Sequence, residues 1–249
     1  LSAHEITLPI MMELEAQMGH DSLLVGQAIK VIYDLLGEMD EAIEHLSECV
    51  ALQPENAEAY EQRAQIYYEQ EQYELADKDY ERLIELDRGG VMGYMGIGRN
   101  AVAQGKYDEA IKQFDYVVKM HTDYSSGYSF RAEAYIKKGE YTKAADDIVK
   151  ALDIDDDNKA FYLLEDMADS AKVIMEAKLK AKSLKDKSTP EWQEYLGIVN
   201  EYAKDYPKAI EYYKKAMELQ RRYAGGRRFD NCIQTNGTML TDEWCRFFR

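Results

Sequence analysis

The chain has 249 residues, 46% hydrophobic and 31% charged with four prolines, a mixture that describes a folded, helix-friendly protein and excludes a disordered one. Its formal charge of −16 excludes a general nucleic-acid binder, because neutralising phosphates needs a basic face. No apolar run in the sequence approaches the roughly 18 residues that a membrane span needs.

Residues 1–22 predict an N-terminal helix over 5–19, part of a truncated or atypical unit. They lack the basic start and continuous apolar core of a signal peptide. The Leu start reads as a processed or excised piece of something longer, which leaves the compartment open between the cytoplasm and an exported, processed chain.

From residue 23 the sequence repeats itself. The segments GEMDEAIEHL (37–46), EQYELADKDY (71–80), GKYDEAIKQF (105–114) and GEYTKAADDI (139–148) start 34 residues apart each time, the mark of a repeat architecture. Units over 23–158 that begin at Leu23, Ala57, Val91 and Ser125 align Tyr60, Tyr94 and Tyr128 at the fourth place and Ala64, Gly98 and Ala132 at the eighth. Ala42, Ala76, Ala110 and Ala144 fall at the twentieth place, and Leu46, Tyr80, Phe114 and Ile148 at the twenty-fourth. Apolar spacings of three and four within each half predict two amphipathic helices per unit. Gly37, Gly105 and Gly139 lie between the halves, where a residue tolerant of positive φ ends the first helix.

Residues 159–189 hold no Gly or Pro, lack the Ala and aromatic signature, and read as a degenerate helical pair. Their lysine run (Lys172, Lys178, Lys180, Lys182, Lys185, Lys187) reads as a solvated convex face, lacking the interleaved aromatics that stack bases or anchor in lipid. A further unit spans 190–223, with Trp192, Leu196, Gly197, Ala209, Tyr213 and Ala216 at repeat spacing. Residues 224–249 read as a capping segment or the start of another repeat, with the Asn236-Gly237 pair offering a hairpin turn instead. The closing WCRFFR, with Trp244, Phe247 and Phe248, favours a natural chain that continues and also offers a surface for self-association. Cys49, Cys232 and Cys245 are odd in number and have no CxxC spacing, so neither a disulfide framework nor a zinc site is indicated.

These units resemble the tetratricopeptide repeat, a helix–turn–helix unit with an aromatic, a Leu-Gly pair, a Tyr, then Ala, Phe and Pro at set places. Pro54 supplies the late proline once, and Arg88, Thr122 and Asp156 stand in its place elsewhere. The resemblance implies an all-α, right-handed superhelical solenoid of antiparallel helix pairs whose first helices line a concave groove. It further implies that the second, fifth, ninth, twelfth and thirteenth places face that groove. Those places hold Glu58, Glu61, Gln65, Tyr68 and Glu69, then Met92, Met95, Arg99 and Val102, then Ser126, Ser129, Glu133, Ile136 and Lys137. Tyr68, Met95 and Arg99, on adjacent first helices, are expected at the centre of the contact. Methionines adapt to varied apolar partners and the carboxylates favour Lys or Arg, so the expected partner is a protein or peptide of basic character. Chaperone-binding members use a Lys, Asn and Arg clamp; here the fifth and ninth places are Gln27 and Val31, Glu61 and Gln65, and Met95 and Arg99, so that clamp is missing.

Chemistry finds little support. His4, His20, His45 and His121 lie far apart, with no HExxH spacing. GGVMGYMGIG (89–98) is glycine-rich, but it falls on a unit boundary and first helix rather than on the strand-to-helix turn that cradles phosphate. DIDDDN (153–158) begins like an EF-hand, yet Asn158 stands where the sharp turn needs Gly and Leu164 where a bidentate Glu belongs. It reads as an inter-unit loop, with Asn158 capping a helix that starts at Lys159. The expectation is an interaction scaffold or adaptor with no metal, cofactor or catalysis of its own, or else a docking segment of a larger enzyme or sensor.

Overall fold

The computed structural model describes residues 39–86, 90–155, 157–185 and 189–223. The helix expected in 1–22, the first helix of the unit at Leu23, and residues 224–249 with Cys232, Cys245 and the closing aromatics lie outside the described residues. Among the described residues there are ten α-helices and no strand: α1 (Met39–Leu52), α2 (Ala57–Glu69), α3 (Tyr73–Leu86), α4 (Val91–Ala103), α5 (Tyr107–Met120), α6 (Ser125–Lys138), α7 (Tyr141–Ile154), α8 (Asn158–Lys185), α9 (Pro190–Tyr202) and α10 (Tyr206–Tyr223). Each helix packs on the next, and α2, α4, α6 and α8 also touch in turn, so the first helices form one layer of a solenoid.

The layers close where side chains are missing. Ala42, Ala76, Ala110, Ala144 and Ala209, all at the twentieth place, are buried, as are Leu46, Tyr80, Phe114, Ile148 and Tyr213 at the twenty-fourth. A Cβ built on Gly98 would lie 2.4 Å from Phe114 Cε1, and one on Gly197 2.5 Å from Tyr213 Cε1. The second-helix ring thus occupies the volume that a first-helix side chain would take, and each buried ring removes enough apolar surface to contribute roughly 1.5–3 kcal/mol.

The turn inside each unit imposes a second rule. Gly105 (φ +73) and Gly139 (φ +82) take the left-handed conformation, and so do Glu71 (φ 58) and Lys204 (φ 60) at the same place of their units. Only glycine adopts that region without strain from its Cβ.

Between the helices of alternate units sits a guanidinium fork. Arg63 donates from Nε and Nη2 to Asp79 at 2.8 and 2.7 Å, and from Nη1 to Ser47 Oγ of the preceding unit at 2.9 Å. Arg131 repeats this, with Nε and Nη2 each 2.7 Å from Asp147 and Nη1 2.7 Å from Asp115 of the preceding unit. Each guanidinium lies over two rings, Tyr60 and Tyr67 in one unit and Tyr128 and Tyr135 in the other. The bonds that Arg63 donates to Asp79 raise its pKa. For Arg131 burial opposes the charge, and the bonds and charges of Asp147 and Asp115 outweigh it, so its pKa also rises. Burial pushes the Asp147 carboxyl up despite the Arg131 bonds.

The segment after α7 differs from the sequence reading at its cap and in part of its lysine run. Asp157, not Asn158, caps α8: it is buried and its Oδ1 accepts the Ala160 N–H at 2.7 Å. The run over 158–185 is interrupted at Ala171 (φ −155, ψ 40), which divides it into two helical arms. Three of its lysines are tied to neighbouring helices, while Lys180 and Lys185 are exposed. Lys178 pairs with Asp146, and Lys182 with Asp153 at 2.6 Å, both on α7, while Lys172 reaches Asp205 before α10 at 2.9 Å. Because 178 and 182 meet 146 and 153 in ascending order, the 172–185 arm runs parallel to α7, as the second helix of a pair does.

Three outcomes follow from these contacts. Glu71→Gly is expected to stabilise the protein by about 0.5–1 kcal/mol and Gly98→Ala to destabilise it by about 1–3 kcal/mol, read by urea denaturation. Arg131→Ala strands the buried Asp147 carboxylate and is expected to cost about 3 kcal/mol, whereas Arg131→Met with Asp147→Leu loses much less, and equal losses in the two variants would count against the fork.

Candidate peptide-binding site

The α2 and α4 helices leave a cleft between them. Asn56 starts α2, accepting the Ala59 N–H at 3.2 Å, and so sets Glu58 and Glu61 on the first turns. The cleft measures about 650 Å³ and is lined by Ala57, Glu58, Glu61, Gln62, Gln65, Tyr80, Met92, Met95, Gly96 and Arg99. Six of these, Glu58, Glu61, Gln65, Met92, Met95 and Arg99, stand at the places expected to face the groove. Met92 is exposed, whereas Met95 is nearly enclosed and forms part of the wall. Gly96 lets the Tyr80 ring come up against the backbone of α4 as part of the cleft wall, 2.4 Å from where a Cβ would stand.

The cleft is polarised. At one end, burial and then the Glu61 charge raise the pKa of Glu58, against the Gln62 amide that donates to Glu58 Oε1 at 3.0 Å. At the other, the Arg99 guanidinium lies 5.0 Å from the Tyr68 ring centre and 5.7 Å from that of Phe130, and donates to Gln65 Oε1 at 3.5 Å. Burial pushes the Tyr80 hydroxyl between them up to about 12, so it stays a neutral donor. The stack continues onto α8, where Lys159 sits 4.3 Å from the Phe130 ring centre and pairs with Glu133 at 2.8 Å.

Other expected groove residues are placed differently. Ser129 is fully enclosed and donates to the Ser126 carbonyl at 3.2 Å, so it presents nothing to a ligand; its hydroxyl closes a turn of α6 instead. The Ser126 hydroxyl is taken by Asp157. Val102 packs partly buried beside Ala101 and Phe114, and Ile136 against the core of the later units. Glu69 accepts from Gln65 at 2.7 Å. Lys137 is exposed.

Four lining residues stand outside the places expected to face the groove: Ala57, Gln62, Tyr80 and Gly96. Gln62 and Gly96 both occupy the sixth place, 34 residues apart, and Phe130 at the same place of the next unit lies against Arg99. The repeat interval is the signal that marks this place. Among the described residues no group of three His, Cys, Asp or Glu is placed to hold a metal ion, and no helix is long and apolar enough to cross a membrane.

Comparison with known proteins agrees with this architecture. Tetratricopeptide repeat models match residues 95–159, 32–70, 57–89 and 196–223. The chain is 29% identical to Hsc70-interacting protein 1 of Drosophila melanogaster over 132 residues, 52% of this chain and 35% of that protein. A serine-type anaerobic sulfatase-maturating enzyme of Bacteroides thetaiotaomicron is 75% identical over 40 residues, 16% of this chain, and the chain spans only 10% of that enzyme's length. A solved tetratricopeptide repeat protein from Parabacteroides merdae has the same fold, with a TM-score of 0.52 at 17% identity, covering 83% of this chain and 82% of its own. Helix pairing, the 34-residue register and these matches together place the chain in the tetratricopeptide repeat family.

Proposed function

We propose that the chain is a protein-interaction scaffold that binds an extended peptide or helix of a partner protein along the face of α2, α4 and α6, without chemistry of its own. The observation that carries this reading is the open cleft between α2 and α4, in which two carboxylates, an exposed methionine and an aromatic-held guanidinium converge. A cleft of this size takes a few side chains of an extended peptide, and its mixed lining suits a ligand with both apolar and charged groups. Hsc70-interacting protein 1, a relative by sequence, carries interaction with another protein in its name, which is consistent with this role.

A second reading, in which the chain is a docking segment of a larger enzyme, is favoured by the short, close match to the sulfatase-maturating enzyme. On this reading the solenoid holds a substrate or partner protein for catalysis performed outside its repeats.

Met95 is nearly enclosed, so its truncation reports on packing; the surface test uses Met92 instead. The variant Tyr68→Ala, Met92→Ala, Arg99→Ala is expected to lose at least tenfold in affinity for peptides selected by display on the intact protein, with helicity unchanged by circular dichroism. Unchanged affinity removes this face from the site. The two readings separate on the open reading frame of the gene: an adjoining catalytic domain is expected for the docking segment and a solenoid alone for the adaptor.

A further inference from the structure

Three arginines, one in each of three consecutive units, lie against pairs of aromatic rings. They differ in what they hold. Arg63 and Arg131 give the Nε and Nη2 edge of the guanidinium to Asp79 and Asp147 and turn Nη1 to the preceding unit. Arg99, in the unit between them, repeats half of this pattern. Its guanidinium meets the Tyr68 ring of the preceding unit and the Phe130 ring of the following one, and its Nη1 donates to Gln65 Oε1 of the preceding unit at 3.5 Å. The Nε and Nη2 edge has no carboxylate. Among the described residues no acidic group lies within ion-pair distance of Arg99, whereas Arg63, Arg82 and Arg131 are each paired.

Register accounts for the difference. Arg63 and Arg131 stand at the seventh place and reach an aspartate 16 residues on, whereas the middle unit has Ile97 there and carries its arginine two places later. At the ninth place the side chain lines the cleft instead. Stacking on rings occupies the faces of a guanidinium and leaves its N–H donors, which lie in the plane, open to a further partner. Inside the solenoid that partner is an aspartate both times.

We infer that Arg99 is the subsite for an aspartate or glutamate side chain of a peptide bound in the groove, its Nε and Nη2 donating to the two carboxylate oxygens as Arg63 and Arg131 do to their own aspartates. The inference rests on the groove reading above and names the ligand chemistry of one part of it. Tyr68 and Phe130 hold the guanidinium from both neighbouring first helices, so little ordering is left for the ligand to drive. A phosphate dianion fits less well, because it asks for a cluster of cations, and Lys159 beyond the Phe130 ring is taken by Glu133 at 2.8 Å. The charge of −16 sharpens the selection: the chain as a whole repels a strongly acidic peptide, so one acid placed at Arg99 is favoured over a run of them.

The experiment uses the whole chain and nonapeptides displayed between glycine–serine spacers, so that no terminal carboxylate can enter the groove. Peptides selected on the intact protein are expected to carry Asp or Glu at one fixed position, an enrichment absent from peptides selected on Arg99→Gln. The most enriched sequence, synthesised with acetyl and amide ends, is expected to lose at least tenfold in affinity when that acid becomes the matching amide. On Arg99→Gln the acid and amide peptides are expected to bind within twofold of each other, with the melting temperature within a few degrees of the parent. Arg99→Lys is expected to recover only part of the preference, because an ammonium is a point charge and not a fork. An acid preference that survives Arg99→Gln, or one that is undiminished in Arg99→Lys, overturns the subsite. Selected peptides that carry no fixed acid yet lose binding to Tyr68→Ala, Met92→Ala, Arg99→Ala overturn the subsite and leave the groove reading standing. Peptides that bind the triple variant as well as the parent, or a selection that yields none, overturn both.

Discussion

The stack depends on close approach between first and second helices at places where a side chain is missing. Phe114 occupies the volume left by Gly98, Tyr80 that left by Gly96, and Tyr213 that left by Gly197. Packing of this kind is steric before it is energetic: a ring fits only if the opposing backbone comes within contact distance, and protein interiors leave few voids to absorb a misfit. The same notch at Gly96 serves the groove, since it brings the Tyr80 ring into the cleft wall. Core geometry and candidate site are therefore one feature seen from two sides.

On this steric frame the guanidinium forks add register. Arg63 and Arg131 each bond to an aspartate of their own unit and reach the preceding unit with the remaining nitrogen. A planar, bidentate contact is sensitive to sliding by a fraction of a residue, which apolar packing tolerates more readily. The forks occur in alternate units, with Ile97 and Gln113 at the corresponding places of the unit between them. That unit carries instead the enclosed Asn100, whose amide donates to Asp77 at 2.7 Å.

Much of the fold was legible because the repeat interval turns one pattern into several independent observations. Alanines at the twentieth place and large apolar or aromatic side chains at the twenty-fourth are readable as core from spacing alone, and burial agrees. What escaped has physical reasons. The forks join residues 16 apart in sequence, a distance that no helical or strand period marks. Asp157 caps where Asn158 was expected, because two adjacent residues both have capping side chains and only the chain path into α8 decides between them. Ser129 stands at an inward place by register but is covered by its neighbours, and sequence periodicity gives direction without giving the depth of the overlying layer. Phe130 was hidden for a related reason: its ring lies beside Arg99 on the adjacent first helix, a contact between units rather than within one.

The broken helix α8 has a consequence for how the solenoid responds as a mechanical object. Its inward side chains include Met167, Met175 and Leu179, with no glycine notch among them, and its ties to α7 and α10 include lysine–carboxylate pairs near the surface. Flexible methionines and partly solvated ion pairs hold geometry less strictly than a ring in a notch or a buried fork. In a one-dimensional array each unit communicates only with its neighbours, so a disturbance in α9 and α10 reaches the cleft of α2 and α4 only by way of α8, whose buried side chains share one core with both flanking units.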